Sequence, residues 1–319
     1  MTEIFPQEWI TSAEQRISSH VRVTPLTQDI KRGISLKWEN QQVTGSFKAR
    51  GAFNKVLSLE SWEQQQGIVA ASAGNHGQGV ALAGKHINAH VTVFASKSAS
   101  PLKIEKMRTL GAEVRLIEGA YEQAEAEGIQ FATENNQTWV SPYNDAQVIA
   151  GQGTIGLEII RQMDLLPHTT VLVPVSGGGL LAGIAAAMSS SPVPLRIVGV
   201  QAEASAFMHS LVKRDSQDNV TDLPTLADGL SGPVEKGSIT VPLIKSLVDD
   251  ILLVNEEEIA KAIAYAYYVY GESIEGSAAV GLSAILTGAV KPPAVVIVSG
   301  GNILPELHEQ ICDRNKVLE

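Results

Sequence analysis

The stretch that decides the fold reads Thr44-Gly45-Ser46-Phe47-Lys48-Ala49-Arg50-Gly51-Ala52. Gly45 interrupts the preceding segment and Ser46 can cap a helix, so the pattern predicts a helix that starts just before Lys48. A lysine amine can form a Schiff base with a carbonyl when its pocket lowers its pKa. Taken alone, the tetrapeptide Gly-Ser-Phe-Lys is more typical of a surface lysine on an amphipathic helix, and the rest of the chain changes this interpretation.

Three further clusters of small polar residues each follow a short apolar run. They lie at 72–79 after a strand predicted over 68–71, at 176–180 after 171–175, and at 299–302 after 294–298. In open α/β sheets, ligands bind at the carboxyl ends of the strands, and glycines there let main-chain N–H groups approach a phosphate. Each Gly-rich turn alone predicts only a tight strand–helix connection.

In this order, the motifs give the chain a family resemblance. They are the lysine segment, Ser-x-Gly-Asn-His at 72–76, Val-Ile-Ala-Gly-Gln-Gly-Thr at 148–154, the loop at 176–180 and Ser-Gly-Gly-Asn at 299–302. With them the chain resembles the pyridoxal-phosphate enzymes of fold type II, and among these the serine/threonine dehydratase and serine racemase family. The resemblance extends from about residue 23 to about residue 302.

The resemblance implies an α/β fold with two domains, each a parallel-type sheet flanked by helices, and a cofactor in the cleft between them. It implies a large cofactor-binding domain of residues 1–66 plus 143–319 and a small domain of residues 67–142. The alternation of strand and helix patterns along the chain agrees with parallel sheets. Helices are predicted from 100–101 to 111, over 120–135, 145–163, 256–270 and 275–286, and a polar surface loop or active-site lid over 215–233.

Composition narrows the class of protein. The chain has 319 residues and is 44% hydrophobic, which is enough for a substantial core. Its net charge of −10 argues against nucleic acid as a partner, and no apolar run is long enough to span a bilayer. Cys312 is the only cysteine and the N-terminus lacks signal-peptide features, so we expect a cytoplasmic protein. The chain stops soon after Asn302, so we expect no C-terminal regulatory domain.

The resemblance also implies the cofactor-binding residues. Lys48 would form a Schiff base with pyridoxal 5'-phosphate and later act as the base beside the substrate Cα. Phe47 would pack against the cofactor ring, Asn75 would hydrogen-bond its phenolic oxygen, and Ser299 would face its pyridine nitrogen. The phosphate would be held by main-chain N–H groups of Ser176, Gly177, Gly178, Gly179 and Leu180. The family usually has glycine where Ser176 stands.

The remaining implied site residues concern the substrate and a metal. The substrate would be bound by Ser72, Ala73, Gly74 and His76. Glu203 matches the first ligand of a divalent-cation site found in some members, but His209 takes the place of an oxygen ligand there. We therefore favour the absence of a bound cation. Glu275 would lie near the cofactor or a substrate side chain.

These observations lead to one functional hypothesis and its alternatives. We expect a pyridoxal-phosphate ammonia-lyase that converts a β-hydroxy amino acid, L-threonine or L-serine, to the 2-oxo acid and ammonia, in a homodimer or homotetramer. Alternatives are a serine racemase and a dehydratase of another hydroxy amino acid such as 3-hydroxyaspartate. A nucleotide-binding oxidoreductase fits poorly, because the glycines at 177–179 do not continue as G-x-G-x-x-G. A non-catalytic binding protein on this fold is disfavoured by the intact Lys48.

Overall fold

The computed structural model describes residues 5–316 and contains two sheets. The strands are β1 (Leu26–Asp29), β2 (Ile34–Trp38), β3 (Ile68–Ala71), β4 (Val91–Ser96), β5 (Glu113–Ile117), β6 (Thr138–Trp139), β7 (Thr170–Pro174), β8 (Arg196–Ala202), β9 (Asp250–Val254) and β10 (Ala294–Val298). The larger sheet has the order β1-β2-β10-β7-β8-β9 and the smaller one the order β5-β4-β3-β6. All neighbouring strands run parallel except β1 and β2. The predicted α/β fold is confirmed.

Helices connect the parallel strands, as crossover connections require. The helices are α1 (Gln7–Ile17), α2 (Lys48–Leu57), α3 (Ser61–Gln66), α4 (Asn75–His86), α5 (Pro101–Thr109), α6 (Tyr121–Glu134), α7 (Ala146–Gln162), α8 (Gly179–Met188), α9 (Phe207–Arg214), α10 (Thr240–Leu247), α11 (Glu256–Tyr270), α12 (Gly276–Leu286) and α13 (Pro305–Arg314). Short 3-10 helices lie at Glu39–Gln41, Glu203–Ser205 and Asp228–Leu230. Between residues 5 and 316, no helix combines the length and the apolarity needed to cross a membrane.

The inner strands β7 and β10 of the six-stranded sheet are buried on both faces, and successive residues of one strand contact opposite cores. Val171 and Val173 of β7 belong to a cluster with Leu181 of α8, whereas Leu172 belongs to a cluster with Leu282 of α12. Side chains alternate across a strand, so a continuous apolar run indicates a strand covered on both faces. The runs at 171–175 and 294–298 therefore form the central strands of this sheet.

Helix α2, which begins at Lys48, packs between the two sheets. Its Ala52 shares a core with Val80 of α4 and with Ile68 and Ala70 of β3. On its other side it meets α7, where a Cβ added to Gly151 would lie 2.6 Å from the Arg50 carbonyl oxygen. Gly151 of the 148–154 motif thus lets α7 approach α2. The predicted division at residues 66/67 and 142/143 stays a prediction, although β3 to β6 all fall within 67–142.

One local expectation was wrong. Ser46 does not cap α2: the helix begins at Lys48 with Phe47 in the N-cap position and without a side-chain cap. Ser46 instead forms an isolated antiparallel bridge with Gly300, and its buried hydroxyl has no hydrogen-bond partner among the described residues. Pairing with the 299–302 segment therefore takes precedence over capping.

A buried cluster of four charges anchors α2 to the larger sheet. The Arg50 guanidinium donates to both carboxylate oxygens of Glu39 at 2.8 Å and to those of Glu158 at 2.6 and 3.0 Å. Lys37 donates to Glu158 at 2.5 Å and to the Thr24 carbonyl at 2.8 Å. Burial alone would raise the pKa of Glu39, but the adjacent Arg50 guanidinium holds it below its usual value. Two cations and two anions leave the cluster neutral, which is how buried charge is tolerated.

We expect Arg50→Met to destabilise the protein by about 3–5 kcal/mol, because it leaves two buried carboxylates without their main partner. Lys97→Met is the matched control, since Lys97 pairs with Glu118 at the surface and its side chain is 53% exposed. Such a pair contributes about 0–1 kcal/mol. Urea unfolding of both variants measures the difference, and equal losses of stability would contradict a special role for the buried cluster.

Candidate active site

Two distant segments lie side by side around Lys48. The Phe47 main-chain N–H donates to the Ser299 carbonyl oxygen at 3.0 Å, and the Gly301 N–H donates to the Gly45 carbonyl oxygen at 2.9 Å. Ser299 directly follows β10, and Lys48 is the first residue of α2. The structure thus brings the lysine segment and the final Ser-Gly-Gly-Asn segment together at the carboxyl end of the central strands, where α/β folds place their ligands.

The Lys48 amine lies in a poorly solvated position. Its Nζ donates to the Pro142 carbonyl oxygen at 2.9 Å and lies 5.2 Å from the centroid of the Phe47 ring. Burial lowers the pKa of Lys48 to about 8, against the opposing charge of Glu275. The lowered pKa makes the neutral amine more readily formed than in an ordinary lysine, and the neutral amine is both the nucleophile and the base that such chemistry needs.

The loop after β3 presents main-chain donors and a fixed amide. The Gly74 N–H donates to the Ser72 hydroxyl at 3.0 Å, and α4 begins at Asn75. The Asn75 amide nitrogen donates to Glu275 Oε1 at 2.7 Å, and the Asn302 amide donates to Asn75 Oδ1 at 2.7 Å. Both ends of the Asn75 amide are held, so its orientation is fixed by the protein.

His76 is buried and its ring bonds to main chain. The ring Nε2 lies 2.8 Å from the Val140 carbonyl oxygen, an arrangement in which Nε2–H donates. Burial, and secondarily the charge of Lys48, lowers the pKa of His76 to about 3. The ring is thus neutral, and its Nε2–H is used in the hydrogen bond to Val140. A contact of His76 with a substrate stays a prediction, and the geometry favours its main-chain N–H for that contact.

The Gly-rich loop at 176–180 forms a glycine cradle that packs closely against Tyr143. Gly178 adopts a φ of +90° and is the N-cap residue of α8, a conformation that L side chains rarely adopt. A Cβ on Gly179 would lie 2.9 Å from the Tyr143 Cα, and one on Gly177 would clash with the Tyr143 ring. Ser176 is not among the described residues with positive φ, so serine fits where the family usually has glycine. The loop offers main-chain N–H groups at a helix start, which favour an anion.

The other cofactor-site candidates lie around these groups. Ser299 is buried at the end of β10, and Leu180 is buried in the first turn of α8. Phe47 is half-buried beside Lys48. A lysine with a lowered pKa, a glycine cradle at a helix start and a fixed amide together match the donor set that pyridoxal phosphate requires. The individual contacts of these residues with the cofactor stay predictions.

Glu203, the candidate metal ligand, directly follows β8. It is exposed and begins the 3-10 helix Glu203–Ser205, and the His209 main-chain N–H donates to Gln201 Oε1 at 3.0 Å. Across residues 5–316, no three His, Cys, Asp or Glu side chains are grouped so that they could hold a metal ion. The expectation that no cation binds at Glu203 stays a prediction.

Sequence reasoning missed or left open several residues of the site. Tyr143 packs against the Gly-rich loop and accepts a hydrogen bond from the Glu235 N–H at 2.8 Å. Glu275 is buried beside Asn75, and burial, with the nearby charge of Asp228, raises its pKa to about 7. Lys103 reaches across to Asp228 at 3.1 Å. None of these residues belongs to a glycine motif, so only the fold reveals that they converge here.

Comparisons with known proteins agree with this geometry. Residues 17–301 match the family model described as pyridoxal-phosphate dependent enzyme. The chain is 42% identical to the L-threonine ammonia-lyase of Thermotoga maritima over 89% of this chain and 71% of that protein. It is 40% identical to the catabolic L-threonine dehydratase of Staphylococcus aureus over 92% of this chain and 88% of that protein.

A solved structure supports the same assignment. The structure of maize serine racemase superposes with a TM-score of 0.89 at 28% identity, covering 98% of both chains. The family match extends over most of the chain, and both curated relatives are well above the identity at which shared ancestry is established. The chain therefore belongs to the family of pyridoxal-phosphate-dependent enzymes, with the fold of its threonine dehydratase and serine racemase members.

Proposed function

We propose that this protein is an L-threonine ammonia-lyase, which converts L-threonine to 2-oxobutanoate and ammonia. The observation that carries the proposal is the Lys48 amine, with its pKa lowered to about 8, next to a glycine cradle and to the 299–302 segment. Relatives at 42% and 40% identity are named for this reaction on L-threonine. L-Serine, which has the same leaving group, is the second substrate that we propose.

Pyridoxal phosphate supplies an electron sink that makes the substrate Cα proton removable. In our proposal the main-chain N–H groups of Ser176 to Leu180 hold its phosphate and the Asn75 amide orients its phenolic oxygen. Phe47 packs on its ring. Ser299 faces its pyridine nitrogen with a hydroxyl, which does not force that nitrogen to carry a proton as a carboxylate would. A neutral ring favours rapid elimination over long-lived carbanion chemistry.

Lys48 then acts on the substrate. It accepts the Cα proton, and the β-hydroxyl leaves with a proton as water. The enamine that results tautomerises and takes up water, which releases 2-oxobutanoate and ammonia. We propose that Ser72, Ala73, Gly74 and the main-chain N–H of His76 bind the substrate carboxylate at the start of α4, where a helix favours negative charge. For a base such as Lys48, a position within reach of the proton matters more than the pKa of the base.

Serine racemase is the competing function, because the maize enzyme has nearly the same fold. A racemase needs a second proton donor on the face of Cα opposite the lysine. At the position that would supply it the chain has Ala73, and a methyl group has no proton to transfer. We therefore propose that the protein catalyses elimination rather than racemisation. A dehydratase of another hydroxy amino acid would share all of this chemistry. We also propose a cytoplasmic homodimer or homotetramer.

The first test is turnover. We expect the purified holoenzyme to release ammonia and 2-oxobutanoate from L-threonine, and Lys48→Ala to lose nearly all of this activity, because the variant lacks the base and the covalent attachment. Lys55→Ala is the control, since Lys55 lies in the same helix but pairs with Asp145 at 2.8 Å. Failure of the wild-type protein to release ammonia from L-threonine would contradict the proposed function.

The second test concerns the protonation of Lys48. Competitive labelling of the apoprotein with acetic anhydride, read by mass spectrometry, should give a labelling rate for Lys48 that reaches half its maximum near pH 8. Only the neutral amine reacts, so the rate rises with pH through the pKa. The reference pKa of a lysine amine is about 10.4, and the exposed lysines of the protein provide the internal comparison. A Lys48 profile that coincides with that of the exposed lysines would contradict the lowered pKa.

The third test separates elimination from racemisation. We expect L-serine to give pyruvate with little D-serine, because Ala73 cannot donate a proton. Ala73→Ser should raise the ratio of racemisation to elimination, since it restores a hydroxyl at this position. Chiral chromatography of the wild-type reaction measures this ratio. Substantial D-serine from the wild-type protein would show that another group serves the second face.

A further inference from the structure

A cleft of about 520 Å³ leads to the proposed substrate loop. Its inner part is lined by Ser72 and Ala73 and by the carboxylates of Asp228 and Glu275. Lys103 is the one cationic side chain among the described residues that line it. A free amino acid carries both an ammonium and a carboxylate, and Lys103 is the side chain lining this cleft that can add a positive charge to the main-chain donors proposed for that carboxylate.

Lys103 extends over the substrate loop. It belongs to α5, and its chain runs so close to Gly74 that a Cβ there would lie 3.5 Å from Lys103 Cδ and 3.9 Å from Nζ. The Lys103 side chain and its ammonium thus pass within van der Waals distance of the loop at Gly74. The N–H groups at the start of α4 and the Lys103 ammonium therefore converge on one region, and both attract an anion.

The present partner of Lys103 is exchangeable. Its Nζ donates to Asp228 Oδ2 at 3.1 Å, and the two side chains are 21% and 63% exposed. Because the Asp228 carboxylate is largely in contact with water, it can be solvated again when a second carboxylate takes its place beside Lys103. A fully buried ion pair would instead be difficult to break, and Lys103 would then have only a structural role.

The neighbouring lysines are already engaged. Lys48 donates to the Pro142 carbonyl oxygen at 2.9 Å, and Lys106, one helical turn after Lys103, donates to Asn302 Oδ1 at 3.1 Å. Lys106 does not line the cleft. The two lysines of α5 thus both reach the 228–302 part of the chain, but only Lys103 combines an exchangeable partner with a position on the substrate loop.

We infer that Lys103 is a further substrate-binding residue, whose ammonium pairs with the α-carboxylate of the incoming amino acid after exchange with Asp228. This inference rests on the proposed function for the class of ligand, an α-amino acid. Asp228 holds the ammonium over the loop in the empty site and competes with the substrate for it. Lys103 and Asp228 consequently have opposite effects on substrate affinity, although they form one ion pair.

Binding of L-alanine tests this inference without any turnover, because L-alanine has no leaving group. The dissociation constant is obtained from the change in holoenzyme absorbance on titration. We expect Lys103→Met to weaken L-alanine binding by about tenfold or more, the loss of one charge-assisted hydrogen bond. Lys103→Arg, which keeps the charge, should stay close to the wild type. L-Alaninol, which lacks the carboxylate, should bind Lys103→Met and the wild type equally well.

Two controls distinguish substrate binding by Lys103 from a purely structural role of the Lys103–Asp228 ion pair, in which it would only hold two parts of the chain together. Lys106→Met should leave L-alanine affinity unchanged, and Asp228→Asn should leave it unchanged or improve it. If Asp228→Asn weakened binding as much as Lys103→Met, the ion pair would have this structural role and the inference would be overturned. Unchanged L-alanine affinity in Lys103→Met, or equal losses for L-alanine and L-alaninol, would overturn it as well. A wild-type enzyme that binds L-alanine but releases no ammonia from L-threonine would contradict only the proposed function.

Discussion

Arg50 is the residue on which the position of the catalytic candidate depends. It lies two residues after Lys48 in α2 and is tied to Glu39, next to β2, and to Glu158 in α7. Removing one partner of such a buried group costs about 3–5 kcal/mol, so the helix cannot move without breaking an expensive set of contacts. The Lys48 amine is then placed relative to β10 by the Phe47–Ser299 hydrogen bond of 3.0 Å.

The same helix links the two sheets. One face of α2 packs on α4 and β3, and the other approaches α7 through glycine contacts. Asn75, which begins α4 after β3 of the smaller sheet, therefore contacts Glu275 and Asn302, which flank α12 and β10, at 2.7 Å. Any movement of the smaller sheet relative to the larger one would strain these hydrogen bonds, which lie at the proposed substrate loop. The side chains that connect the two parts of the fold are thus the same ones that lie at the candidate site.

Much of this arrangement could be predicted from the sequence, because the motifs consist of residues with special backbone needs. Gly178 has a positive φ, and Lys48 and Ser299 follow from motif order and meet at one edge of a sheet. Ser46 was misjudged because a local capping rule cannot anticipate pairing with Gly300, which is 254 residues away. Tyr143, Lys103 and Asp228 escaped prediction because they act through their side chains from loops and a helix face, and no local pattern marks which of them converge.

We propose that Lys48 carries the cofactor of this enzyme. Borohydride reduction of the purified holoenzyme, followed by proteolysis and mass spectrometry, tests it directly. The account predicts that a reduced pyridoxyl phosphate group is found on the peptide that contains Lys48 and that the visible absorbance band is lost. A label on Lys55, Lys103 or another lysine, or a protein without a visible band after incubation with pyridoxal phosphate, would contradict the account.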